Sequence, residues 1–268
     1  MAKAIDALRP WRDNVVIVGG WAHRLHRLHP TATVPSFGAV VTRDADVAFD
    51  SAGRLQGDIA AALQQAGFEK VLKGEHVPPV SHFQLGEEDA GFYVEFLTPL
   101  RGDGRRRDGS EDATLSAAGV TAQKLRHLDV LLTAPWRIDL DPSDHLPLAD
   151  ATYLNVASPV SFIVHKLLIH HLRLGRKKAQ DLLYVHDTLD LFATSLPALN
   201  SLWREHVGPS LTRGDHREAH ERAHLLFQDV TDAIREAVRI PVDRRIDPAE
   251  FRVRCEIGLE QLFQEVAR

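Results

Sequence analysis

The sequence predicts an α+β protein: a mixed sheet with flanking helices over residues 1–157, followed by an all-helical region over residues 158–268. Short apolar or alternating segments bounded by turn residues recur through the first part, as strands do. Beyond about Ala157 the apolar residues repeat only at helical spacing. Strands in one run and helices in the next give the α+β pattern rather than an alternating one.

Val15-Val16-Ile17-Val18 is β-branched and apolar and stops at Gly19-Gly20, which reads as a buried strand ending in a tight turn. Trp21, Leu25 and Leu28 then follow at helical spacing. After a loop with Pro30 and Pro35, the run Ala39-Val40-Val41 leads to Ala45, Val47 and Phe49, which alternate with Asp44, Asp46 and Asp50. This alternation predicts a half-buried strand with one acidic face. A helix is expected over 55–66, closed by Gly67, and further strands over 80–85, 92–98 and 130–139.

Ser158-Pro159 is a helix start, with a capping hydroxyl and a proline in the first turn, and Phe162, Ile163, Leu167 and Leu168 follow on one stripe. Later helices are expected over 179–193, 198–206, 213–240 and 247–267, the last opening on Asp247-Pro248-Ala249-Glu250. The charged segment 101–112, with Arg105-Arg106-Arg107 among acids, reads as an exposed loop.

Composition narrows the function classes. A net charge of −5 argues against coating duplex nucleic acid by bulk electrostatics. The single cysteine, Cys255, excludes an intrachain disulfide and a cysteine-based zinc site. Residues 1–14 lack the apolar core of a signal peptide, and no segment approaches the ~20 apolar residues of a membrane span. The expected location is the cytoplasm.

Asp44 and Asp46 stand two apart on a strand and share a face, about 6–7 Å apart at the backbone. Two carboxylates so placed repel unless a cation sits between them, and hard oxygen ligands suit Mg²⁺ or Mn²⁺ completed by phosphate. The alternative is a solvated strand face. Glu95 lies inside the apolar run Phe92-Tyr93-Val94-Glu95-Phe96-Leu97, where a lone carboxylate needs a partner or an outward-facing edge. If the two strands are neighbours, three carboxylates converge and can hold two cations about 3.5–4 Å apart. Gly19-Gly20 lets the backbone approach a polyphosphate at a helix start; a plain tight turn is the commoner explanation of such a pair. Lys166, His170, Arg173 and Lys177 would form a basic stripe on a continuing helix, for phosphate, an RNA backbone or mere solvent, with Gly175 as a break. His23, His26 and His29 lack the His-Glu-x-x-His pattern and read as core or surface histidines.

A strand ending in Gly-Gly, an amphipathic helix, then Thr42-Arg43-Asp44-Ala45-Asp46-Val47, then Val94-Glu95-Phe96, resembles the DNA polymerase beta superfamily of nucleotidyltransferases. Within it the likeness is to the AbiEii-like branch, bacterial proteins often found as toxins of toxin–antitoxin or abortive-infection systems, and to related uncharacterised bacterial proteins. That branch carries a helical lysine followed by a basic cluster and an aspartate, here Lys166 through Arg173, Arg176, Lys177 and Lys178 to Asp181. The resemblance implies a nucleotidyltransferase-like fold in which Gly19, Gly20, Thr42 and Lys166 bind the nucleotide. It also implies that Asp44, Asp46 and Glu95 bind metal and catalyse. Two departures stand out: the separation of Gly20 from Asp44 is long, and Trp21 stands where many members have a serine.

The expected activity is Mg²⁺- or Mn²⁺-dependent transfer of a nucleoside monophosphate from a nucleoside triphosphate to a hydroxyl acceptor: a transfer RNA end, a protein or a small molecule. The alternatives are a catalytically degenerate module that binds nucleotide, RNA or a protein partner, and an interaction protein whose C-terminal helices pair with a cognate antitoxin.

Overall fold

The computed structural model describes residues 1–268 apart from 41, 52, 54, 88–90, 106–108, 144–145 and 266–268. Val41, Arg106, Arg107 and the end of the last expected helix therefore lie outside the described residues. The chain forms two compact units, Met1–Leu28 with Val41–Ala157 and His29–Val40 with Ser158–Arg268.

The first unit contains α1 (Ala2–Leu8), β1 (Val16–Val18), α2 (Gly19–Leu25), β2 (Asp44–Ala48), α3 (Ile59–Gln65), β3 (Glu69–Lys73), β4 (Val80–Leu85) and β5 (Phe92–Pro99). It continues with β6 (Thr114–Ala117), β7 (Val120–Leu125), α4 (Leu128–Leu131), β8 (Trp136–Leu140) and β9 (Thr152–Val156). The strands join in one mixed sheet in the order β3-β4-β5-β2-β1-β9-β8, with β7 on β5 and β6 on β7. β2 runs antiparallel to β1 and parallel to β5. One edge of β5 is shared in series, by β4 at residues 92–95 and by β7 at 97–99.

Strand periodicity gives the sheet two different faces. Ala45 and Val47 of β2, Val94 and Phe96 of β5 and Phe83 of β4 share one face and are almost wholly buried. Phe92 belongs to this face, and Trp21 and Phe68 meet it edge-on at 5.9 and 6.4 Å. On the opposite face the strands change character along their length. Asp44, Asp46, Tyr93 and Glu95 come first, then Ala48 and Leu97, which join Val16, Val18, Leu128, Leu131 and Ala157 in an apolar cluster. The turn of α4 supplies two of the side chains that cap this apolar half.

The second unit is helical: α5 (Pro159–Ile169), α6 (Arg176–Leu191), α7 (Leu196–Leu202), α8 (Gly208–Ser210), α9 (Arg213–Phe227), α10 (Asp232–Ala237) and α11 (Pro248–Leu262). Ser158, Thr212, Thr231 and Asp247 cap four of these helices with side-chain oxygens. An α+β mixed-sheet part followed by an all-helical part is thus the observed architecture. Among the described residues, no helix is long and apolar enough to cross a membrane.

Several elements differ from expectation. The strand expected over 130–139 is instead the end of α4, a turn with Ala134 at φ 46°, and then β8. The helix expected over 213–240 stops at Phe227 and restarts where the Thr231 hydroxyl accepts from Ile234 N–H. α1, β3, β6, β7 and β9 were not anticipated; β3 exposes most of its residues, so it lacks the apolar alternation that betrays a strand. Residues 29–40 pack with the helical unit. Thr33 N–H donates to Leu191 C=O (2.8 Å), Gly38 N–H donates to the Asp243 carboxylate (2.7 Å), and the Arg244 guanidinium lies 3.4 Å over the Phe37 ring. The long separation of Gly20 from Asp44 is this excursion.

The basic stripe does not form on one helix. α5 ends at Ile169, Arg173 is extended and Gly175 has φ 50°, so Lys166 and Lys177 lie on different helices. The Lys166 ammonium instead donates to Asp181 Oδ1 at 2.6 Å, with Arg173 Nε at 3.1 Å from the other oxygen and the rings of Phe162 and Tyr184 close by. Both Lys166 and Asp181 are buried. Removing the lysine leaves the buried Asp181 carboxylate with only the part-exposed Arg173 as cationic partner, so Lys166→Met should lose about 3 kcal/mol in urea unfolding. Lys166→Met with Asp181→Leu should recover much of it; a single-variant loss under about 1 kcal/mol would contradict a buried, coupled pair.

Burial also holds the His170 and His220 imidazoles below the ordinary histidine range, His220 with help from neighbouring His216 and against Glu265. A lowered folded pKa means that, as pH falls below about 6.5, the unfolded chain takes up protons the folded chain refuses. The stability these groups contribute is present above that pH and is lost progressively below it. His220 sits against Trp203 and Phe263 at 5.8 and 5.0 Å. His220→Phe should therefore flatten the fall in melting temperature between pH 7.5 and 5.5, and an unchanged slope would exclude His220 as a source.

Candidate active site

Register decides the site. β2 pairs with β5 so that Asp44 faces Tyr93, Asp46 faces Glu95 and Ala48 faces Leu97. Neighbouring strands are about 4.8 Å apart, so Asp46 and Glu95 start side by side, and Asp44 joins them on the same face two residues away. On the other flank of β2, Asp46 pairs with Val18, the residue before Gly19. The structure thus brings Asp44, Asp46, Glu95 and Gly19 into one region of the first unit.

Gly19 is required there by two independent facts. Its φ is 63°, and a Cβ built on it would lie 2.0 Å from Asp46 Oδ2. The Asp46 carboxylate therefore rests against bare backbone at the first residue of α2. Trp21, two residues on, does not face this point: it is buried and turned to Phe92 and the apolar layer. This is the physical consequence of a tryptophan where the resemblance expects serine, since the bulky ring anchors α2 to the core.

Asp44 is exposed and accepts a hydrogen bond from the Thr42 hydroxyl. Glu95 is half-buried, and its Oε1 lies 3.2 Å from His82 Nδ1 on β4, although the pair is not aligned as a hydrogen bond. His82 faces Glu95 directly across the β4–β5 ladder. Burial first, and the Lys73 ammonium second, press the His82 imidazole below the usual histidine range. A cavity of about 350 Å³ opens beside these groups, lined by Arg43, Asp44, Lys73, His82, Tyr93 and Glu95. His82, Lys73 and Tyr93 escaped the sequence reading because only the cross-strand register unites them with the acids.

Among the described residues no three His, Cys, Asp or Glu side chains already stand close enough to enclose a metal ion. Glu95 lies beside His82 on one side, while Asp46 rests against Gly19 on the other. The donor chemistry nevertheless fits Mg²⁺ or Mn²⁺: hard carboxylate oxygens sharing one face, where such an ion needs only one or two protein carboxylates and fills its shell with water and phosphate. Lys166 belongs to the helical unit, and its surroundings are those of the ion pair with Asp181.

A family model described as Nucleotidyltransferase matches residues 1–208, well over half of the chain. The chain belongs to that nucleotidyltransferase family. The match supports the wider superfamily resemblance; the AbiEii-like branch within it rests on the sequence motifs alone. No curated protein and no solved structure matches the chain. In this nucleotidyltransferase-family chain the matched stretch contains all the strands among the described residues and every site residue named above.

The contact between Gly19 and Asp46 can be tested directly. Gly19→Ala should lower stability by about 2 kcal/mol or more, from the left-handed backbone and the collision with the carboxylate together. In an Asp46→Ala background the same change should cost about 1 kcal/mol less, because only the backbone strain remains. Additive losses in urea unfolding would mean that the two residues do not touch.

Proposed function

We propose that the chain is a divalent-metal-dependent nucleotidyltransferase that moves a nucleoside monophosphate from a nucleoside triphosphate to a hydroxyl acceptor. The observation that carries this reading is the position of Asp46, opposite Glu95 on one side and against Gly19 on the other. The new bond joins the acceptor oxygen to the α-phosphorus, the bond to the pyrophosphate oxygen breaks, and the acceptor proton passes to a Glu95 carboxylate oxygen.

Each residue has a local task in this reading. Gly19 and Gly20 present backbone N–H groups to the triphosphate at a point where no Cβ intervenes. Thr42 fixes Asp44 through its hydroxyl and stands next to the phosphates. Asp44 and Asp46 would hold Mg²⁺ or Mn²⁺, which when bound neutralises phosphate charge and lowers the pKa of the acceptor hydroxyl. His82 stands beside Glu95 on the side away from Asp46. In-line displacement needs mainly such positioning and charge compensation.

A toxin-type role with a cognate antitoxin, and an RNA or protein acceptor, enter this proposal through the AbiEii-like resemblance. A second reading, a module that binds nucleotide without turning it over, is favoured by Trp21 in place of serine and by the open arrangement of the three acids. Asp44→Asn with Asp46→Asn should reduce Mg²⁺- or Mn²⁺-dependent triphosphate binding at least tenfold. The melting temperature should hold or rise, because like-charge repulsion is relieved. A large loss of stability would make the acids structural. Tight binding by the parent chain with no pyrophosphate release from any of the four triphosphates would select the silent module.

A further inference from the structure

The order of strands across the acidic face assigns the two substrates to opposite sides. From one side to the other, the face presents Lys73 on β3, His82 on β4, Glu95 and Tyr93 on β5, Asp44 and Asp46 on β2, and then the end of β1 at Gly19. If the triphosphate lies at Gly19, the inference resting here on the function proposed above, the leaving pyrophosphate departs on the β1 side. An in-line displacement then brings the attacking hydroxyl from the β4 side, past Glu95. That side holds the cavity of about 350 Å³.

The lining of the cavity describes what enters. Asp44 and Glu95 form its acidic wall, the wall given above to the metal and the acceptor proton. Lys73 also lines the cavity, its ammonium 5.1 Å over the Tyr93 ring. Among the described residues no carboxylate forms an ion pair with Lys73, whose ammonium lies over that ring and acts electrostatically on His82. Lys73 is exposed, and the Tyr93 ring attracts its ammonium without neutralising it. Arg43 lines the same cavity. A phosphate can pair with the Lys73 ammonium in this cavity, whereas a neutral polyol cannot. The volume is at the small end of ligand pockets, room for one sugar-sized group.

We infer that the acceptor carries a phosphate close to its attacking hydroxyl, and that Lys73, seated on Tyr93, is the residue that selects it. A small phosphomonoester and the terminal nucleotide of an RNA both present this chemistry. Lys73 acts on the acceptor, so it should leave triphosphate binding alone.

The test uses the full chain saturated with Mg²⁺ and a non-hydrolysable triphosphate, whose binding is measured first. Failure of that binding, or its indifference to Asp44 and Asp46, defeats the transferase reading and with it this inference. Glycerol, glycerol 3-phosphate and a short oligoribonucleotide with a free 3′-hydroxyl are then titrated by NMR or calorimetry. Glycerol 3-phosphate or the oligonucleotide should bind at least tenfold more tightly than glycerol. Lys73→Glu should abolish that preference while the triphosphate affinity stays within twofold, and Lys73→Arg should keep most of it. Whichever charged probe binds more tightly identifies the source of the phosphate. Equal affinity for glycerol and the phosphorylated probes, or a preference that survives Lys73→Glu, would overturn the assignment even with triphosphate binding intact.

Discussion

The parallel pairing of β2 with β5 is the constraint on which the site depends. Because side chains alternate with a period of two, slipping this pair by one residue would carry Asp44 and Asp46, or Glu95, to the packed face. The buried set Ala45, Val47, Val94 and Phe96 forbids that slip. Each of the larger of these side chains contributes about 1.5–3 kcal/mol by leaving water, whereas a carboxylate buried in their place would be penalised. The apolar face thus fixes the chemistry of the polar one.

The polar face is itself divided. Its carboxylate half ends where Ala48 and Leu97 join the cluster of Val16, Val18, Leu128 and Leu131, so the acids stand at the edge of a rigid, covered region rather than on a loose strand. Gly19 lies at the junction with α2, and Trp21 ties that helix to the opposite layer. The acids are pre-placed by backbone register, but their carboxylates diverge, Asp46 toward Gly19 and Glu95 toward His82.

Much of this was legible in the sequence, for definite reasons. Alternation exposed β2 and the apolar run exposed β5, and capping residues such as Ser158 and Asp247 marked helix starts. The Gly-Gly turn and the spacing of Asp44 and Asp46 stood out because local geometry follows directly from local sequence. What did not show was non-local. His82 and Lys73 reach the site through two antiparallel ladders whose register a single sequence does not reveal. Lys166 looked like a phosphate ligand because its basic neighbours are adjacent in the chain, whereas its nearest charge is Asp181 on the next helix. The break after Phe227 depended on a cap at Thr231 inside an otherwise helical pattern.

The most direct measurement is a crystal structure of the chain with Mn²⁺ and a non-hydrolysable nucleoside triphosphate, read by the anomalous signal of the metal. Manganese bound by the carboxylates of Asp44 and Asp46, with the triphosphate on the backbone of Gly19 and Gly20, is the expected result. Manganese bound elsewhere, or a triphosphate seated away from that turn, would contradict the placement of the active site on this face of the sheet.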